Sequence, residues 1–205
     1  FAVREAQGEY LLFLNNDVEI ITENWLEEML QLCQQKDVGM VGAKLYYPDD
    51  TIQHAGVVVG LGGVAAHVLC KLPRDAEGYM GRLRCVQEIS AVTAACMMVK
   101  TSVFKAVGGF DEELKVAFND IDLCMKVRKY GVKIVFTPYA ELYHYESKSR
   151  GMEDTPEKQL RFSREVNCFR RKWERELLKG DPYYNPNLTL NNTDCSLRKQ
   201  EKNGD

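Results

Sequence analysis

No stretch of this sequence stays apolar for the roughly 18–20 residues that a bilayer-spanning helix needs, so no transmembrane segment is expected. The chain opens on Phe1 rather than methionine, and neither a charged n-region nor an apolar h-region follows. It is therefore expected to begin inside a longer gene product. Charge of one sign is also missing: 27 Lys and Arg against 30 Asp and Glu leave a net charge of −3, and nucleic acid is not an expected partner. The seven cysteines are odd in number, and no two stand at metal-knuckle or redox spacing. Most lie in apolar contexts, as in Ala95-Cys96-Met97-Met98 or Leu123-Cys124-Met125, where a thiol behaves as a small buried hydrophobe. A disulfide framework is not expected, and a reducing, cytoplasmic setting is. There is no internal repeat.

What is present is enough for one substantial core, or one domain with an appendage. Tyr10-Leu11-Leu12-Phe13-Leu14 is an apolar run of strand length that suits a strand covered on both faces, as in a parallel sheet. Asn24-Trp25-Leu26-Glu27 reads as a helix start with Asn24 as N-cap and Glu27 at the capping-box position. Val38-Gly39-Met40-Val41 is the next strand, so the opening is strand, helix, strand, the pattern of an α/β fold. The Gly-rich, β-branched stretch 51–68 predicts a hairpin or irregular strands, and 70–88 a long loop of the kind that is often functional. Ala95 to Val99 is a strand, Thr101 caps a short helix ending at Gly108-Gly109, and Asn119 caps another. Val132 to Phe136 and Ala140 to Tyr145 read as two strands separated by Pro138.

Thr155-Pro156 starts a helix whose stripe of Leu160, Phe162, Val166, Phe169, Trp173 and Leu177 suits core docking, or else a membrane-surface or partner contact. Residues 1–180 form the main unit, and 181–205, polar and rich in Asn and Lys, form an extended, largely disordered tail.

Three places carry chemistry. Asn15-Asn16-Asp17 ends an apolar strand, where ligands bind in open α/β sheets. It reads either as a carboxylate that holds a divalent metal against a diphosphate or as an Asx turn that caps the strand. Asp120 and Asp122 open a helix two residues apart, so their side chains point about 200° apart and should have different tasks. One can face a cleft as a general base while the other closes the helix start, although both together would also merely stabilise an N-terminus. His144 ends an alternating strand just before Glu146-Ser147-Lys148-Ser149-Arg150-Gly151, a credible metal and phosphate environment as well as a plain structural position. His54 and His67 have no such company and read as structural or loop residues.

The ordered set of strand–Asn-Asn-Asp, Gly109-Phe110-Asp111-Glu112, Asn119-Asp120-Ile121-Asp122-Leu123 and His144-x-x-Ser147-x-Ser149-Arg150-Gly151 resembles the family 2 glycosyltransferases of the GT-A fold, closest to rhamnosyltransferase-like members. The resemblance covers roughly residues 1–185, including Asp181-Pro182-Tyr183-Tyr184-Asn185-Pro186-Asn187. It implies a Rossmann-like mixed sheet flanked by helices, lacking the first strands, with roughly a hundred nucleotide-binding residues expected before Phe1.

Carried over, the resemblance makes Asp17 and His144 ligands of Mg²⁺ or Mn²⁺ and Asp120 the base that deprotonates the acceptor hydroxyl. Asn15, Asn16, Ser147, Ser149 and Arg150 would face the donor. Thr93, Ala94, Gly109, Phe110, Asp111 and Glu112 would shape the acceptor pocket. Asn stands at 15 and 119 where the family pattern has acids. The implied activity is inverting transfer of a hexosyl group, rhamnose among the candidates, from a nucleotide-diphospho-sugar to a glycan or lipid-linked acceptor in cell-surface polysaccharide synthesis. The implied place is the cytoplasm, with peripheral association at the inner face of the membrane. Self-association through the exposed strand 10–14 is expected. A non-catalytic glycan-binding or assembly fragment of the same fold, and a metal-dependent phosphoesterase, are the alternatives.

Overall fold

The computed structural model describes residues 2–146 and 155–199. A short helix, α1 (Ala2–Glu5), precedes β1 (Tyr10–Leu14) and β2 (Val18–Ile20). Then come α2 (Trp25–Cys33), β3 (Val38–Tyr46), β4 (Ile52–His54), β5 (Val57–Val59) and β6 (Ala65–His67). The chain continues through β7 (Gln87–Glu88), β8 (Cys96–Lys100), α3 (Thr101–Ala106), α4 (Asn119–Tyr130) and β9 (Lys133–His144), and ends with α5 (Pro156–Lys172) and α6 (Glu174–Lys179). Among the described residues no helix is long and apolar enough to cross a membrane.

The main sheet runs β1-β8-β3-β9-β2, with β4 on β3 and β7 on β9, while β5 and β6 form a separate hairpin. β3 and β9 are parallel, and the other pairings in the sheet are antiparallel. The α/β reading and its mixed sheet therefore hold, but the both-faces-covered, parallel reading of residues 10–14 does not. β1 lies at the edge, antiparallel to β8, and leaves Leu12 and Leu14 36% and 42% exposed. An apolar run reports hydrophobicity; it does not report which strand will lie beside it.

Two cores flank the sheet. On one face, Trp25, Met29 and Cys33 of α2 pack on Val41, Ala43, Leu45, Met98 and Leu142. On the other, Leu123, Cys124 and Val127 of α4 join Met40, Met97, Val99 and Phe136. All seven cysteines are unpaired.

Several local expectations are corrected. The Asn24 side chain donates to Glu28 Oε1 at 3.1 Å and does not cap the backbone, so the capping box is not formed. Lys100, not Thr101, is the N-cap of α3, and the Thr101 hydroxyl instead donates to the Gly8 carbonyl at 2.7 Å. At α4 the N-cap is Phe118, held at a left-handed φ of 63° between the rings of Phe162 and Phe169. Residues 133–144 form one strand, not two. Proline cannot donate to a ladder, so Pro138 sits where the pairing with β3 jumps from Gly42↔Phe136 to Lys44↔Glu141.

Thr155 does cap α5, accepting from the Lys158 amide. The α5 stripe docks most deeply at its far end, where Phe169 and Trp173 are buried, while Leu160 stays exposed and Phe162, also exposed, meets the Phe118 ring. Residues 181–199 run through turns and bends and are anchored, with Tyr184, Leu188 and Cys195 in the core, and 200–205 lie outside the described residues.

Candidate active site

β2 pairs with the end of β9 in the register Val18↔His144, and the Tyr145 amide donates to the Asp17 carbonyl at 2.8 Å. This places Asp17, one residue before β2, beside His144, the last residue of β9. His144 Nε2 stands 3.3 Å from Asp17 Oδ1, and both side chains are largely buried. Asn15 follows β1, and its Nδ2 lies 3.0 Å from the same ring nitrogen. Burial pushes the His144 imidazole below its ordinary value, against the pull of Asp17 and Glu146, which favours the neutral ring. Asp17 Oδ1 is buried and receives no hydrogen bond from the described residues. A carboxylate oxygen without a donor beside a neutral imidazole nitrogen suits a divalent cation. Among the described residues no third acid, imidazole or thiol completes a cluster of three.

These groups open into a cleft of about 880 Å³ whose lining also includes Asn16, His67, Thr93, Ala94, Asn119, Asp120 and Glu146. Asp120 reaches it from the first turn of α4, accepting from the Ala94 amide at 3.1 Å and the Ile121 amide at 2.8 Å. The segment that carries Thr93 and Ala94 lies tight against β3, because a Cβ on Gly42 would sit 2.3 Å from Val92 Cγ1. Asp122 points the other way. It is fully buried, accepts from Trp173 Nε1 at 2.8 Å, and pairs with Lys126 at 3.0 Å and Lys172 at 2.7 Å. The two aspartates thus have separate surroundings, as their spacing predicts.

Gly109, Phe110, Asp111 and Glu112 do not line the cleft. The Phe110 ring packs against Phe13 and Phe104 behind β1, and Asp111 is bound by Lys172, which holds its carboxyl below the usual range. The cleft wall is instead built by the next residues, Lys115 to Phe118. Ser147, Ser149 and Arg150 lie outside the described residues. The long segment 70–88 lines a different cavity of about 770 Å³ with Lys44 and Glu141, sharing no lining residue with the cleft.

Two residues escape sequence reasoning. Glu165 of α5 is 3% exposed and accepts three backbone N–H groups at 3.0 Å, from Lys115, Val116 and Ala117, so it holds the cleft wall in place. Gln53 of β4 touches His144 through both ends of its amide. The local sequence Ile52-Gln53-His54 gives no signal for it.

The mixed sheet with its flanking helices is a GT-A fold, and solved structures share it. A mannosyltransferase, PcManGT of Pyrobaculum calidifontis, solved with GDP-Man and Mn²⁺, superposes at a TM-score of 0.53 with 16% identity, over 85% of this chain and 41% of that one. GalNAc-T7, solved with UDP, GalNAc and Mn²⁺, gives 0.60 with 14% identity, over 86% and 34%.

The chain belongs to the glycosyltransferase-like family whose model matches residues 1–165. It is 56% identical to an uncharacterised protein, y4gI, of Sinorhizobium fredii over 96% of its length, and 40% identical to the O-antigen biosynthesis protein RfbC of Myxococcus xanthus over 100%. It spans 22% and 16% of those relatives' lengths. A stretch of 62 residues is 36% identical to an N-acetylglucosaminyl-diphospho-decaprenol L-rhamnosyltransferase of Mycobacterium tuberculosis, covering 30% of this chain and 20% of that one.

Proposed function

We propose that this chain supplies the metal-binding and acceptor side of a transferase that moves a sugar, with inversion, from a nucleotide-diphospho-sugar to a glycan or lipid-linked acceptor during surface polysaccharide synthesis. The observation that carries this reading is the buried, donor-less Asp17 Oδ1 at 3.3 Å from the neutral His144 Nε2, opening into the same cleft as Asp120. Asp17 and His144 would hold Mg²⁺ or Mn²⁺, which when bound supplies charge neutralisation for a departing diphosphate. Names of relatives point the same way, one to O-antigen biosynthesis and another to rhamnosyl transfer.

Asp120 is the base. Its carboxylate takes the proton of the acceptor hydroxyl as that oxygen bonds to the anomeric carbon and the bond to the diphosphate oxygen breaks. The Ala94 and Ile121 amides hold that carboxylate in place, and Asn15 and Asn16 sit where a donor's polar groups would be met. Attack from the face opposite the leaving group gives inversion.

The test is to incubate this chain, and the longest polypeptide that contains it, with nucleotide-diphospho-sugars and Mn²⁺ or Mg²⁺. Release of nucleoside diphosphate that a chelator abolishes and that requires an acceptor supports the reading. Tight glycan binding without release, in both polypeptides, would replace it with a non-catalytic role.

A further inference from the structure

Gln53 lies in the middle of β4, 2% exposed, and 91 residues from His144 in sequence. Its Nε2 is 3.2 Å from the His144 carbonyl and 3.4 Å from Glu146 Oε2. A carbonyl and a carboxylate only accept, so the amide's NH₂ must face them. That leaves Oε1 at 2.7 Å from His144 Nδ1. An amide oxygen also only accepts, so Nδ1 must carry the ring's proton. In a neutral imidazole the other nitrogen is then bare.

Resting on the metal reading above, we infer that Gln53 is a positioning residue that fixes His144 as its Nδ1–H tautomer and turns the Nε2 lone pair towards Asp17, ready for a divalent cation. Three further observations agree. Asn15 Nδ2, a donor, approaches Nε2 at 3.0 Å, which a protonated Nε2 would repel; a cation bound at Nε2 takes the place of this donor. Asp17 Oδ1 lies 3.3 Å from Nε2 yet receives no hydrogen bond, as expected for two lone pairs facing one another. Gln53 is itself held, because its carbonyl accepts from Cys70 Sγ at 3.0 Å and meets His67 Nδ1 at 2.9 Å.

The choice of an amide rather than a carboxylate has a chemical reason. A glutamate here would also accept from Nδ1–H, but its charge would favour the imidazolium, which has no lone pair to give. The amide fixes the tautomer and leaves the ring neutral. The opposite tautomer would point Nε2–H at Asp17, satisfying the carboxylate internally and closing the site to a cation.

Long-range ¹⁵N–¹H spectra of the ¹⁵N-histidine-labelled chain, above neutral pH, read the tautomer without any activity. The inference expects His144 as Nδ1–H in the wild type, and a shift towards Nε2–H or a mixture in Gln53→Met, which keeps size and removes the acceptor. Gln53→Glu, which keeps the acceptor, should retain Nδ1–H. With Mn²⁺ as the probe, Gln53→Met should lose about 10–100-fold in affinity.

A wild-type His144 in the Nε2–H form overturns the inference outright, whether or not the variants fold. A folded Gln53→Met that keeps Nδ1–H overturns it as well. Wild-type Nδ1–H without Mn²⁺ binding in this chain or in the longest polypeptide that contains it removes the metal from both readings, whereas Mn²⁺ binding with unchanged affinity in Gln53→Met sinks only the role given to Gln53.

Discussion

Asp120 and Asp122 share a helix and a residue type, yet their surroundings assign them different kinds of loss. Asp120 faces the cleft and, among the described residues, its carboxylate meets two backbone amides, so Asp120→Asn should fold normally and lower turnover by about 10²–10⁴-fold with donor affinity nearly unchanged. Asp122 is buried against Trp173, Lys126 and Lys172, and removing it takes a buried partner from both ammonium groups and leaves the indole N–H unpaired, although Lys172 keeps Asp111 and Lys126 keeps the Gly109 carbonyl. Asp122→Ala should cost about 3–5 kcal/mol in urea or thermal unfolding. A folded Asp122→Asn that has lost all turnover, beside an active Asp120→Asn, would reverse the assignment.

The imidazoles set a pH limit. His54 is fully buried and held well below 6.5 by desolvation, then by His67 and His144, and His144 is lowered mainly by burial. A lowered histidine pKa means that the unfolded chain binds protons first. The stability these groups contribute is therefore complete above about pH 6.5 and drains away as pH falls below it, by up to about 1.4 kcal/mol per pH unit for each ring. Unfolding midpoints from pH 7.5 down to 5 should fall, and His54→Gln, where it folds, should flatten the decline.

At the scale of elements, α5 matters more for what it holds than for what it covers. Glu165 binds three consecutive amides of the cleft wall, while Leu160 and Phe162 of the same helix remain exposed. Glu165→Ala leaves those donors unpaired, at about 1–3 kcal/mol for each that water does not reach. The expected readout is faster amide exchange at Lys115, Val116 and Ala117, with the β3 amides unchanged. Exchange that stays slow there would show that the wall stands without α5.

Neither Glu165 nor Gln53 was legible in the sequence, because each acts on partners some 48–50 or 91 residues away, on other elements. The strand–Asn-Asn-Asp turn, the opposed aspartates and His144 were legible, since strand ends and helix starts are local features. The neighbours of β1 and the continuity of β9 through Pro138 were not, because pairing is decided by the rest of the sheet. Residues 109–112 resembled a pocket motif, but the chain there turns behind β1 and leaves the wall to 115–118.

For the whole molecule the exposed flank is β1. Among the described residues it has one neighbour, β8, and its outer side lies next to the exposed Leu12 and Leu14. Such an edge recruits another strand. Sedimentation of this chain should show concentration-dependent self-association that Leu12→Lys and Leu14→Lys together reduce, and a monomer at all concentrations would show the edge to be harmless.

Asp17 and His144 meet because the Val18↔His144 pairing and the Tyr145–Asp17 backbone bond bring two strand ends level. Their meeting is a matter of counting. Val18 stands opposite His144, and neighbouring residues of a regular strand point to opposite sides, so Asp17 meets the ring only because it lies just before the strand begins; one residue inserted between Asp17 and Val18 would leave both side chains in the sequence and still part them. When relatives are compared, the number of residues along this ribbon therefore carries as much information as the letters. A protein that keeps the acid and the imidazole but changes the interval has the ligands without the site.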